Sequence, residues 1–385
     1  MFKYKFIFVN LNYMNYYFLF IILILFCYIF NIYVKNNDKI QAFFRLYNKT
    51  DEQTKNYIDS YEQLYSRKIK PQLNDLNDFK NNVSLKGFNP TERSEGTEEL
   101  YRVLHDIIIL GNLDKMYVPP LLGKTTGIIE NQLLIEKKMA DYLNVKPNEL
   151  LLEIGCGSGA IAMNMNKNTK CNIIGINIDE DTLSKGRKKL KDSGNNQITL
   201  KYQDLNKKLD FSNNSIDGVY QIQAMTFSED LTGVLKEFYR VLKPGKKVVF
   251  LEGVLLDNFD KNNEKDIERG LNVRGITAGG GIWHVKYWEK AAEDAGFKII
   301  KSTCGDKYDN HYSPELPVLK DITAFFFDLR DWISTLTQWK ILPKNLKILF
   351  DRVTKGGEDL IKLMEEAKIT TDYIFVFEKP DSSKS

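Results

Sequence analysis

The feature that most constrains this chain is a glycine-rich turn between an apolar run and a helix-forming run. Leu150–Ile154 predicts a buried strand, and Gly155, Gly157 and Gly159 follow it before a helical pattern that begins at Ala160. Glycine adopts backbone conformations that are closed to other residues and lets a ligand approach the bare main chain. The N-terminus of the next helix favours polar or anionic groups. The pattern therefore predicts a small-molecule site where the strand passes into the helix.

Apolar strand patterns alternate with helical patterns downstream of this turn. Such alternation predicts an α/β fold, a doubly wound, seven-stranded Rossmann-like sheet that binds its ligand at the carboxyl ends of the strands. The interval between Lys301 and Asp372 predicts a helical insertion, either over the mouth of the site or on the back of the sheet. The predicted strands are Leu150–Ile154, Asn172–Ile176, Ile198–Gln203, Ile216–Ile222, Lys247–Leu255, Lys298–Ser302 and Tyr373–Glu378.

An uncharged apolar run, Tyr16–Val34, precedes the core. As a helix it would measure about 28 Å, close to the thickness of a bilayer's hydrocarbon core. It predicts a single-pass transmembrane anchor, with a cleaved signal peptide or a buried or monotopic helix as alternatives. Basic residues are denser after the run than before it, which predicts a cytosolic catalytic domain. The expected organisation is an anchor (1–35), a polar linker or arm (36–95), a core (96–300) and a helical cap with the last strand (301–385).

Charge and cysteine usage exclude several classes of protein. Lys and Arg number 54 against 51 Asp and Glu, a formal net charge of +3, whereas a nucleic-acid-binding protein normally shows a concentrated basic face. The 4 cysteines are far apart in sequence, so we expect no disulfide framework and no metal site. The sequence is compatible with a homo-oligomer.

The glycines alone do not identify the ligand, because Gly155-x-Gly157-x-x-Ala160 also fits a nicotinamide dinucleotide site. Glu153 favours S-adenosylmethionine, since a carboxylate before the turn could bind the amino group of its methionine portion. A dinucleotide site must seat a pyrophosphate there and needs no anion. The ends of the next three strands provide further candidate contacts: Asn177 for the ribose hydroxyls, Asp204 for the adenine amino group, and Gln223 at the exit of the fourth strand.

Longer motifs give the sequence a family resemblance. LLEIGCGSGAIA (151–162), CNIIGIN (171–177), FYRVLKPG (238–245) and the C-terminal run 351–380 resemble class I S-adenosylmethionine-dependent methyltransferases, and among them the sterol C-24 methyltransferases. The resemblance covers roughly residues 144–380. It implies C-methylation of a sterol-like lipid and, with the predicted anchor, a location in the endoplasmic reticulum membrane. The strand-four exit, residues 223–229, lacks the acid and the histidine that this family carries there.

Two side chains are candidates for catalysis. Glu252 interrupts an otherwise apolar predicted strand, where a carboxylate needs a partner or a task. His284 is a candidate base or acceptor contact, with packing at a helix N-terminus as the alternative. The leading hypothesis is methyl transfer to a hydrophobic acceptor. The alternatives are an O- or N-methyltransferase of small molecules and a non-catalytic, membrane-tethered protein that binds the donor.

Overall fold

The fold is described by a computed structural model. Its described residues are 37–55, 103, 106–107, 109–111, 115–225, 228, 230–260, 262–277, 282–304 and 314–381.

Eight strands form one mixed sheet in the order β3-β2-β1-β4-β5-β8-β7, and β6 pairs with β5 off this path. The strands β1 to β5 run parallel to one another, while β8 is antiparallel to both β5 and β7. The strands are β1 (Leu150–Ile154), β2 (Asn172–Asn177), β3 (Ile198–Tyr202), β4 (Ile216–Ile222), β5 (Leu242–Leu255), β6 (Trp283–His284), β7 (Lys298–Thr303) and β8 (Ile369–Glu378).

Helices cover both faces of this sheet, as expected for strands that are nearly all apolar. One face packs against α5 and α7, and the other against α2, α3 and α4. The helices are α1 (Asp38–Tyr47), α2 (Ile128–Leu143), α3 (Ala160–Thr169), α4 (Glu180–Asp192), α5 (Leu231–Val241), α6 (Glu264–Thr277), α7 (Val285–Asp294), α8 (Leu316–Gln338) and α9 (Lys344–Glu365).

The prediction of a doubly wound Rossmann-like sheet is confirmed, but the strand count is corrected from seven to eight. The additional strand is β6, whose two residues pair with the end of β5 through Val254–Trp283 and Leu255–His284. Two residues are too few to show a strand period in the sequence. The interval before β8 is helical, as predicted, and forms α8 and α9.

The expected single-pass membrane location is corrected. Across the part of the chain that the structure describes, no helix combines the length and the apolar character needed to cross a bilayer. The apolar run Tyr16–Val34, on which the expectation depended, lies outside the described residues, as does most of the predicted linker. The transmembrane and endoplasmic reticulum assignments therefore have no structural support.

Candidate functional site

The glycine turn joins β1 to α3 through three residues with left-handed backbone. The φ angles are 68° at Gly155, 51° at Gly157 and 79° at Gly159, which lies at the N-cap of α3. Such angles strain any residue with a Cβ atom. The Gly155 and Cys156 amides both donate to the Ile176 carbonyl, at 2.9 and 3.1 Å, and this fixes the turn against the end of β2.

The three glycines differ in the space around them. A Cβ at Gly155 would lie 2.4 Å from the Ala224 Cβ, and one at Gly159 would lie 3.2 Å from the Leu200 Cδ1. A Cβ at Gly157 would meet nothing closer than the Thr182 Cγ2, at 3.9 Å. The turn is therefore packed tightly against its neighbours at Gly155 and is open at Gly157, as a site for a ligand's approach requires.

Glu153, the predicted contact for the donor's amino group, is 1% exposed within β1. The Tyr220 hydroxyl of β4 donates to the Glu153 Oε2 at 2.9 Å. Burial raises the pKa of Glu153 to about 8, which the Tyr220 hydrogen bond only partly offsets. The carboxyl is therefore mostly neutral near pH 7, and an arriving ammonium group would stabilise its charged form.

Asn177 and Asp204 lie where β2 and β3 end. Asn177 lies opposite Tyr202 in the β2–β3 ladder, and its main-chain carbonyl accepts a hydrogen bond from the Gln203 amide at 3.0 Å. The Asp204 carboxylate accepts from the Asn206 amide at 2.9 Å, closing a local turn. Both residues are half-buried at the carboxyl edge of the sheet. Their predicted contacts with ribose and adenine stay predictions.

Gln223 follows β4 with a left-handed φ of 51°. Its amide donates to the Leu251 carbonyl at 2.8 Å, and its side-chain Nε2 donates to the Thr371 carbonyl at 2.9 Å. The side chain thus connects the β4 exit to β8. Its predicted role as a donor contact stays untested.

Glu252, the first candidate for catalysis, is fully buried in β5. The Met225 amide donates to the Glu252 Oε1 at 2.9 Å, and the Gly253 amide lies 3.3 Å from the Oε2. Burial raises the pKa of Glu252 to about 7, and these hydrogen bonds oppose the rise. The Glu252 Oε1 therefore fixes the segment that follows β4, and this structural role accounts for a carboxylate in an apolar strand.

His284, the second candidate, is the N-cap of α7. Its Nδ1 accepts from the Lys286 amide at 3.2 Å, and its Nε2 lies 3.2 Å from the Asp257 Oδ1. Burial lowers the pKa of His284 below its usual value, although the Asp257 carboxylate opposes this. Both ring nitrogens therefore have protein partners, and the capping interaction accounts for the position of the ring. The catalytic role of His284 stays a prediction.

Comparison with known proteins identifies the unit that carries this geometry. Residues 152–250 match the family model described as "Methyltransferase domain". This segment is a methyltransferase domain.

The chain is similar over part of its length to curated sterol methyltransferases. Cycloartenol-C-24-methyltransferase 1 of Oryza sativa subsp. japonica is 27% identical over 261 residues, covering 64% of this chain and 74% of the relative. Sterol 24-C-methyltransferase of Saccharomyces cerevisiae is 32% identical over 193 residues, covering 49% of this chain and 48% of the relative. The predicted resemblance to this group is confirmed.

Solved structures show the same fold at low identity. A geranyl diphosphate methyltransferase solved with sinefungin superposes with a TM-score of 0.54 at 13% identity, covering 74% of this chain and 99% of that one. The cyclopropane synthase MmaA2 from Mycobacterium tuberculosis gives a TM-score of 0.54 at 15% identity, covering 68% and 90%. The methyltransferase-domain match confirms the prediction of S-adenosylmethionine as the cofactor, and a neighbour of the same fold, phosphoethanolamine N-methyltransferase 2 of Haemonchus contortus (TM-score 0.53), was solved with S-adenosylhomocysteine.

The structure adds a polar cluster beneath the methyltransferase domain's glycine turn that the sequence did not single out. Glu136 of α2 is fully buried and accepts from the Tyr117 hydroxyl and the Asn164 Nδ2, each at 2.6 Å. Lys115 forms an ion pair with the same carboxylate. A cavity of about 360 Å³ adjoins the cluster and reaches Ala160, the first residue of α3. The contacts join residues far apart in sequence, so no local pattern reveals them.

A second group that sequence reasoning missed lies at the start of β8. Asp372 and Glu315 are 1% and 0% exposed, respectively. Sequence patterns treated Asp372 only as the end of the helical insertion. Asp372 comes just before the predicted strand Tyr373–Glu378, where an acidic residue is ordinarily solvated. In the structure β8 begins at Ile369, so Asp372 lies inside the strand and is buried.

Proposed function

We propose that this protein transfers the methyl group of S-adenosylmethionine to a carbon atom of a hydrophobic, sterol-like acceptor. The observation that carries the proposal is the open face of the glycine turn at Gly157, which follows β1 and its buried carboxyl, Glu153. The similarity to sterol methyltransferases supports the acceptor class.

The residues present fit the donor. The turn leaves room at Gly157 for a ligand to contact the backbone, and Glu153 presents a carboxyl that an ammonium group would ionise. Asn177 and Asp204 lie at the ends of β2 and β3, where the ligand of a doubly wound sheet crosses the strands. S-adenosylmethionine supplies an electrophilic methyl group whose bond to sulfur breaks as the alkene electron pair of the acceptor forms the new carbon–carbon bond.

The protein's contribution to this reaction is alignment and the exclusion of water. The β4 exit, held by Glu252 and Gln223, fixes the backbone at which donor and acceptor would meet. The methylated acceptor would carry a positive charge until one of its C–H bonds gives up a proton to solvent water. Carboxylate side chains on the acceptor side would stabilise that positive charge.

Radiolabelled methyl transfer tests the proposal. The purified protein is incubated with methyl-labelled S-adenosylmethionine and, in separate reactions, a mixture of Δ24 sterols or a mixture of polar amines and alcohols. We expect label in the sterol fraction, and we expect its loss in Gly157→Arg. Label confined to the polar mixture would overturn the sterol-like acceptor while leaving methyl transfer intact. Absence of label from both, with donor binding retained, would overturn the enzymatic function.

A further inference from the structure

Glu315 and Asp372 form a buried acidic pair that is incompletely hydrogen-bonded. Glu315 immediately precedes α8, and its Oε1 accepts from the Thr370 hydroxyl at 2.9 Å and from the Thr371 amide at 2.8 Å. Within the described residues, its Oε2 and both carboxyl oxygens of Asp372 have no hydrogen-bond partner. Three such oxygens in one place require an explanation, because buried polar atoms are nearly always paired.

The two carboxyls also disfavour each other's charge. Burial raises the pKa of Glu315 to about 7. Burial and the neighbouring Glu315 charge raise the pKa of Asp372 well above its usual value. The two carboxyls therefore tend to stay protonated, and a cation placed between them would favour their ionised forms. A purely structural carboxyl would instead be matched to donors in the fold, as the Oε1 of Glu315 is.

The acidic pair lies on the same face of the sheet as the donor-side residues. Burial raises the pKa of Tyr117, and the charges of Asp372 and of Glu153 both raise it further, so both carboxyls lie near the same buried hydroxyl. Ile374 belongs to the hydrophobic cluster that includes Leu251 and Tyr220, and the Tyr220 hydroxyl binds Glu153. The Gln223 side chain binds the Thr371 carbonyl, so the β4 exit and the residue before Asp372 are in direct contact.

Gly253 leaves space next to this pair. It follows Glu252 at an irregularity in the β5–β8 ladder. A Cβ placed there would meet only the Thr370 carbonyl oxygen at 3.8 Å and the Thr371 Cα at 3.9 Å. The strand thus carries no side chain at the point where it faces the residues beside Asp372.

We infer that Asp372 and Glu315 form a subsite that receives a positively charged group of the methyl acceptor. The inference rests on the proposed function and identifies a feature of the acceptor that the function does not. A metal ion is a poor match, since among the described residues no three His, Cys, Asp or Glu side chains are placed to hold one. The charge has two possible sources: a protonated nitrogen carried by the acceptor, or the charge that the acceptor gains with the methyl group.

Calorimetry with a paired set of probes tests the subsite. N,N-dimethyloctylamine is protonated at pH 7.5, and 1-octanol is its neutral counterpart of similar apolar length. We expect the wild-type protein, saturated with S-adenosylhomocysteine, to bind the amine at least tenfold more tightly than the alcohol. Asp372→Asn and Glu315→Gln should abolish this preference. Asp359→Asn is the matched control, because Asp359 is also buried but is paired with Asn272 and Lys355.

The outcomes separate this inference from the proposed function. Equal binding of amine and alcohol by the wild type, or a preference that survives in both variants, would overturn the subsite. Failure of S-adenosylhomocysteine to bind the wild type would overturn the methyltransferase site itself. Titration with S-adenosylhomocysteine also detects a folding defect. A correctly folded Asp372→Asn should bind it with the Kd of the wild type.

Turnover then identifies the source of the charge. If Asp372→Asn lowers kcat for a sterol acceptor at least tenfold while KM stays constant, the subsite acts on charge that develops during transfer. If the variant instead raises KM for amine acceptors at unchanged kcat, the subsite binds a charge already present. Wild-type kinetics in the variant with both acceptor classes would overturn the inference.

Discussion

Replacement of Gly157 by alanine offers a sharp test of the donor site, because the chain contains a matched control. Gly157 and Gly194 both adopt left-handed backbone, with φ of 51° and 67°. Among the described residues, a Cβ at Gly157 has its first neighbour at 3.9 Å, and one at Gly194 has no neighbour within 4 Å. Each alanine therefore introduces the same backbone strain, about 1–2 kcal/mol, without a steric clash.

The two variants should be equally stable and differ in donor affinity. We expect each to lower Tm by a few degrees. Only Gly157→Ala places a methyl group on the open face of the turn, where the donor would contact the backbone. It should weaken S-adenosylmethionine binding at least tenfold, equivalent to about 1.4 kcal/mol or more. Gly194→Ala, which lies beyond the end of α4, should leave the dissociation constant within twofold of wild type.

A third variant separates packing from ligand contact. Gly155→Ala adds the same backbone strain and brings its Cβ to 2.4 Å from the Ala224 Cβ. Overpacking of this kind costs about 1–3 kcal/mol more. We expect Gly194→Ala and Gly157→Ala to be equally stable and Gly155→Ala to be less stable than both. Thermal unfolding and isothermal titration of all three proteins give the comparison. Wild-type donor affinity in Gly157→Ala, or an equal loss in Gly194→Ala, would refute the placement of the donor at this turn.

Three further predictions concern buried groups. Since the pKa of Glu153 is raised to about 8 by burial, its contribution makes the folded state less stable as pH rises from about 4.5 to 8, by up to about 1.4 kcal/mol per pH unit. Denaturant unfolding at pH 5 and pH 8 should show a smaller decline for Glu153→Gln than for wild type; equal declines would contradict the assigned pKa. Lys379 is 8% exposed and donates to Asn214, Tyr239 and Leu242 at 2.6–2.8 Å, so Lys379→Met should cost about 2–4 kcal/mol in urea unfolding. Trp288 is fully buried and stacks on Phe375 at 5.2 Å; Trp288→Ala should cost about 3–5 kcal/mol. Trp288→Phe should cost far less, since the indole N–H has no partner within the described residues, and a similar loss in both would contradict this.

The parts of the fold that were predictable have local causes. An apolar run of strand length, a glycine turn and a helical period each occupy one short window, so β1, α3 and their neighbours could be placed from sequence. The same holds for the helical nature of α8 and α9. β6 was missed because its two residues carry no period, and β5 begins at Leu242 because a ladder contact with Ile216 extends it past the expected start at Lys247.

The candidate site was less predictable, because its polar partners come from distant segments. Glu252 stood out as a carboxylate in an apolar strand, but the sequence could not show that the Met225 amide satisfies it. Asp372 gave no signal in the sequence, although within the described residues neither of its carboxyl oxygens has a hydrogen-bond partner. The distinction between a satisfied and an unsatisfied buried carboxyl depends on which backbone amides the fold brings within reach. Residue type and spacing do not encode that.

The antiparallel strand β8 makes donor binding and acceptor handling separable in this fold. The donor turn is fixed by β1 and β2, through the Ile176 carbonyl. The β4 exit is instead fixed by β5 through Glu252 and by β8 through the Thr371 carbonyl. A change in β8 can therefore move the acceptor side of the site while the glycine turn keeps its geometry. Under the proposed function, a substitution in β8 would therefore change which acceptor is methylated, while the donor affinity set by β1 and β2 would stay the same.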